Sequence, residues 1–186
     1  MTTLDLLWLP ILLSSVLVFF VSAVINMAPL WHKNDFPRLQ DQEGIMNALR
    51  PFNLPPGEYL LPRATDRKER ESPEFQAKLK DSPVMILTVW KYGSTPMGVT
   101  FVSWFLYTTA MGIFAAYVAG RALPVGAEYL QVFRFTGVTA FLGYAAALWQ
   151  MSIWFNKPWL SVFKMTCDGI IYALLTAGIF GWLWPI

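Results

Sequence analysis

Four stretches of the chain carry no charged side chain: Leu6 to Trp31, Met97 to Gly120, Phe135 to Asn156 and Gly169 to Ile186. A helix needs roughly 20 apolar residues to cross a hydrocarbon core of about 30 Å. The first three windows reach that length, and the fourth does if Met165 to Asp168 form its interfacial turn. A charge at the centre of such a helix costs roughly 2.5–3.5 kcal/mol on insertion scales, so excluding charge from all four windows points to a bilayer. The pattern predicts an all-α integral membrane protein with four transmembrane helices and a small α+β extramembrane segment. Helix 1 falls in residues 1–27, the extramembrane segment in 28–96, and helices 2–4 in 97–186.

The polar segment has its own punctuation. Trp31 reads as an interfacial anchor and Lys33 as a snorkelling cation. Asp41 is an N-cap for a short helix through Arg50, stopped by Pro51. Pro55-Pro56-Gly57 is a turn before a strand at Glu58 to Leu61. Ser72-Pro73-Glu74 starts a second helix that ends near Lys80. Val84 to Trp90 is β-rich and is expected to pair with the first strand, and Gly93 to Pro96 turns into helix 2. The segment has too little apolar content to fold alone.

Helices 2–4 carry small residues four apart. Helix 2 has Thr108, Gly112, Ala116 and Gly120; helix 3 has Thr139, Gly143 and Ala147; helix 4 has Gly169, Ala173, Ala177 and Gly181. That spacing keeps small residues on one face, where backbones approach closely. Helix 1 lacks the pattern; its bulky middle predicts lipid contact, and Pro10 a kink. Trp104, Trp149, Trp154, Trp159, Trp182 and Trp184 fit aromatic belts.

Composition sharpens this picture without changing it. The 186 residues are 55% hydrophobic and 14% charged, against about 25% charged in soluble domains. Of 14 Lys and Arg, only Arg121 and Arg134 fall on the side holding both termini, and the other 12 fall opposite. The positive-inside rule therefore places 28–96 in the cytoplasm and both termini outside. Val21-Ser22-Ala23 loosely fits a signal cleavage site. Asp5 and the absence of Lys or Arg before it favour a retained helix. Cys167 is alone, which leaves no internal disulfide or thiolate cluster.

Candidate chemistry is sparse. His32 is the only histidine, able at most to be one ligand of a haem, a chlorophyll or a metal. Beside Trp31 and Lys33 its commoner role is interfacial hydrogen bonding. Asp168, four residues after Lys164, suggests a local ion pair. Arg121, Arg134 and Glu128 form a candidate outer docking patch, and Asp66 to Glu71 is a solvated mixed-charge run. Phosphate loops, HExxH and nucleophile elbows are absent. The chain is expected to be non-catalytic, to bind no metal and no nucleic acid, and to hold no cofactor alone. Its expected contacts are membrane lipids, other integral membrane subunits and the pigments of a partner complex.

Ala28 to Phe36, Leu54 to Tyr59, Phe114 to Arg121 and Phe180 to Pro185 resemble an uncharacterised family of bacterial four-helix membrane proteins. The resemblance covers nearly the whole chain and implies no activity or site residues. The family's bacterial range, and what small membrane proteins without a site tend to do, suggest an accessory subunit of a bacterial photosynthetic reaction-centre–antenna complex; no motif carries this. Three small-residue ladders, abundant interfacial Trp, a sizeable extramembrane segment and no catalytic constellation set the leading expectation. It is a non-catalytic accessory subunit of a larger assembly, one of energy conversion, in the bacterial inner membrane. One alternative is a small transporter or channel subunit, its path lined by Asn26, Thr108, Thr109, Thr139 and Gln150. Another is a membrane enzyme using His32, Asp35 and Glu43.

Overall fold

A computed structural model describes residues 2–27, 31–91 and 96–186. The expected turn at Gly93 to Thr95 and the stretch Ala28 to Leu30 lie outside them. In chain order the elements are α1 (Trp8–Met27), α2 (Gln42–Leu49), β1 (Gly57–Leu61), α3 (Arg67–Arg70), α4 (Pro73–Asp81) and β2 (Met85–Val89). There follow α5 (Met97–Ala122), α6 (Tyr129–Tyr144), α7 (Trp149–Phe155) and α8 (Trp159–Trp182). They divide into two compact units, Met1–Pro37 with Pro96–Ile186, and Arg38–Thr95.

The first unit is a helical bundle. Among the described residues, four helical stretches are long and apolar enough to cross a membrane: Leu4–Met27, Met97–Ala122, Tyr129–Phe155 and Trp159–Trp182. α1 packs on α5 and α8, and α6 closes the ring by packing on the same two. Small residues set these contacts. Thr108, Gly112, Ala116 and Gly120 are all buried on α5. A side-chain carbon at Gly112 would lie 3.4 Å from Ile11, and one at Gly120 would lie 2.6 Å from the Thr2 carbonyl oxygen. On α8, Gly169, Ala173 and Ala177 are buried, and Gly181 faces the Tyr129 ring.

Several local expectations are corrected. On α6 the buried positions are Val132, Thr136, Ala140 and Tyr144. Gly143 sits off that row, against Met111 of α5, and Ala147 is exposed. The reason is a break: after Tyr144 the chain leaves the helix at Ala145 and makes a 3-10 turn, Ala146–Leu148, before α7. A helical spacing cannot hold a face across such a break. α1, expected to lack a close-packing face, buries Ser14, Val18 and Ser22 at spacing four. Serine is nearly as small as alanine, and its hydroxyl is satisfied within the helix: Ser14 Oγ donates to the Ile11 carbonyl at 3.0 Å and Ser22 Oγ to that of Phe19 at 2.8 Å. Pro10 falls in the first turn of α1, where its missing N–H is not needed by the helix. α6 starts before Arg134 and α8 at Trp159, so neither helix begins at the edge of its uncharged window.

The second unit follows its local signals. Asp41 caps α2 by accepting from Gly44 N at 2.8 Å, and Ser72 caps α4 by accepting from Phe75 N at 3.2 Å. β1 and β2 form an antiparallel pair with Tyr59 opposite Leu87. Asp66 caps the single-turn α3 within the charge run. Phe75 is the one buried side chain described in this unit.

Candidate functional site

At one end of the bundle, the turn following α1 folds back onto α8. His32 and Asp35 lie three residues apart in that turn, and Lys164 and Asp168 lie one helical turn apart on α8. The expected Lys164–Asp168 pair does not form. Lys164 Nζ instead donates to Asp35 Oδ1 at 2.7 Å, and Asp168 accepts from Trp31 Nε1 at 2.9 Å on Oδ1. His32 bridges the two acids, with Nδ1 2.7 Å from Asp35 Oδ2 and Nε2 2.9 Å from Asp168 Oδ2. Carboxylates only accept hydrogen bonds, so both contacts are satisfied when each ring nitrogen carries a proton. The imidazolium and the ammonium then balance the two carboxylates.

The network is well shielded: the four side chains are 8–18% exposed. Asp168 lies about 14 Å along α8 from Trp159 at ~1.5 Å per residue, inside the helix rather than in an interfacial turn. A carboxylate there is costly unless paired and hydrogen-bonded. The fold meets that requirement by bringing the Trp31–Phe36 turn to it. The hydrogen bond from Lys164, and then that from His32, hold the Asp35 carboxyl below the usual carboxylate range.

Beside the network opens a cleft of about 760 Å³. Its wall is aromatic, with Trp104 and Tyr107 of α5, Tyr144 of α6 and Tyr172 of α8 forming a closed ring of contacts. Trp104 stacks on Tyr107 with centroids 5.4 Å apart, and edge-on pairs join Tyr107 to Tyr144, Tyr144 to Tyr172 and Tyr172 to Trp104 at 5.6–6.1 Å. Trp104 is therefore a cleft residue rather than part of a belt, and its Nε1 donates to Ser22 Oγ at 2.7 Å. The break after Tyr144 shapes the opposite wall, where Leu148, Lys157 and Pro158 reach the cleft. Gly169 permits this bend, since a side-chain carbon there would lie 2.6 Å from Ala145 Cβ.

Of the residues singled out in the sequence, His32 and Asp35 lie here together, whereas Glu43 belongs to the other unit, on α2. Among the proposed path residues, Asn26 lines the cleft. Thr108, Thr109 and Thr139 instead donate to carbonyls of their own helices, at 2.7–2.9 Å. Arg121, Glu128 and Arg134 are exposed. Trp31, Lys164 and Asp168 were missed as site residues. The available signal was the coincidence of two ionisable residues in an apolar helix with a complementary His-x-x-Asp pair elsewhere. Among the described residues, no cluster of His, Cys, Asp or Glu is placed to hold a metal ion.

The four long apolar helices are compatible with a multi-pass membrane protein. No family model, curated protein or solved structure matches the chain.

Proposed function

We propose that this chain is a four-span integral protein of the bacterial inner membrane, acting as a non-catalytic accessory subunit of a larger membrane assembly. The observation that carries the reading is the Arg38–Thr95 unit. Met46, Phe52 and Trp90 are 60–73% exposed there, while Phe75 alone is buried among the described residues. A polar segment that leaves such side chains uncovered presents a surface suited to a partner. The basic residues favour a cytoplasmic position for it. The assembly we have in mind is one of energy conversion, photosynthetic or respiratory, a role typical of small membrane proteins without a catalytic constellation. The non-catalytic reading is supported by the charged network, whose four carboxylate oxygens all face donors within the protein.

The test is isolation from native membranes in mild detergent, with wild type compared with Trp90→Asp. Stoichiometric co-isolation of the same membrane proteins with wild type, weakened at least fivefold by the variant, is the expected result. A solitary wild-type protein would sink the reading.

A second reading, a transporter or channel subunit, is favoured by the break in the third long helix beside a buried carboxylate. It expects solute flux in proteoliposomes that Asp168→Asn abolishes.

A further inference from the structure

The aromatic cleft does not end at its own wall. Phe19 of α1 and Phe101 of α5 line both the cleft and a second hollow of about 370 Å³, whose other lining residues are Val16, Phe20, Val102, Phe105 and Leu106. That hollow runs along the α1–α5 seam and is apolar throughout. Cleft and groove adjoin at Phe19 and Phe101, so polar groups on one side give way to hydrocarbon-like surface on the other. A molecule fitting both has a polar head and a flexible apolar chain.

The sign of the head follows from which charges in the cleft are already engaged. Both oxygens of Asp35 and both of Asp168 face donors of the chain itself, and Lys164 is held by Asp35. A cationic head would meet carboxylates already paired with His32 and Lys164. Lys157 is different. It lines the cleft, is half-buried, and its Nζ contacts Met165 Sδ at 3.3 Å. A thioether is a weak acceptor, and an ammonium carries three donors. A half-buried ammonium whose one side-chain contact among the described residues is a thioether has donors free for an anionic oxygen.

We propose that the cleft is a binding site for an acidic lipid of the surrounding bilayer. Its anionic head is held by Lys157, the aromatic ring packs the region below the head, and one acyl chain lies through Phe19 and Phe101 into the α1–α5 groove. This site goes beyond the subunit reading and needs no partner protein.

The full chain in mild detergent, titrated with phosphatidylglycerol or phosphatidylcholine and followed by native mass spectrometry, tests it. The wild type is expected to retain one phosphatidylglycerol at least tenfold more tightly than phosphatidylcholine. Lys157→Gln should erase that preference while leaving thermal unfolding unchanged. Val102→Trp, which narrows the groove away from Lys157, should weaken retention of both lipids. Equal retention of the two lipids by wild type, or full preference for phosphatidylglycerol in Lys157→Gln, overturns the proposal. A third arm uses palmitate. If palmitate binds in a Lys157-dependent way and phosphatidylglycerol does not, the acidic head belongs to a free fatty acid and the lipid assignment fails.

Discussion

The two ends of the helical bundle are closed by opposite means. At the end holding both termini, Thr2 N donates to the Gly120 carbonyl at 2.8 Å and Gly126 N to that of Pro185 at 2.8 Å. Trp184 Nε1 donates to the Pro124 carbonyl at 2.9 Å. Beneath these bonds Leu7, Ala116, Ala119, Leu123, Val132 and Phe180 pack in a buried apolar cluster with Trp184. The other end is held by charge, with four ionisable side chains joining a turn to α8 above an open aromatic cleft. Backbone hydrogen bonds and a packed apolar cluster close the first end. A side-chain network can fix a turn at a distance and leave space beneath it. The end with ligand-sized space is the one whose turn is held by the His32, Asp35, Lys164 and Asp168 network.

The largest effect is expected at the charged end. His32→Ala leaves two carboxylates facing each other without the ring between them. The buried Asp168 carboxylate then loses a partner. Removing one partner of a fully buried pair costs about 3–5 kcal/mol, an upper bound for the half-buried His32, and thermal unfolding in detergent should show the loss. The response to acid sharpens this. Because the folded state holds the Asp35 carboxyl below its ordinary 3.8, its contribution is full above that value. It is lost as pH falls through the lower, folded value. Unfolding temperatures measured from pH 7 to pH 3 should fall at the acid limb, and Lys164→Met should flatten that limb.

At the plugged end the corresponding blow is steric. Gly120→Val places a side chain against the Thr2 carbonyl, and overpacking of this kind costs about 1–3 kcal/mol. Trp184→Phe removes one hydrogen bond, for about 0.5–1.5 kcal/mol, and puts a smaller ring in a buried site, which adds to the loss. Smallest of all should be Ala147→Leu. The sequence ladder puts Ala147 on a packing face, but it is exposed, and surface substitutions stay within about 0.5 kcal/mol. A loss above 2 kcal/mol there, read from the same unfolding curves, would return helix 3 to an unbroken ladder.

Much of the architecture was legible in single residues and their spacing. Four charge-free windows gave four long helices, because length and apolar content are local properties. Asp41 and Ser72 marked two helix starts, since a cap bonds to a backbone N–H within three residues. The α5 and α8 ladders coincide with buried faces because those helices run unbroken. The α6 ladder does not, as nothing near Ala145 marks a break; the bend depends on Gly169, a residue of another helix.

The same division holds for the site. From the sequence alone came the bundle, its helix lengths, the α2, α4, β1 and β2 elements and the presence of one histidine beside a tryptophan. Only the tertiary structure decided that His32 and Asp35 meet Lys164 and Asp168, more than a hundred residues away. It likewise decided that Trp104 lines the cleft rather than an aromatic belt. Hydrophobic periodicity and caps act within a few residues and can be read from a list. Which buried charge finds which partner is settled by the cost of leaving any of them unpaired. That cost is assessed only when the helices have assembled.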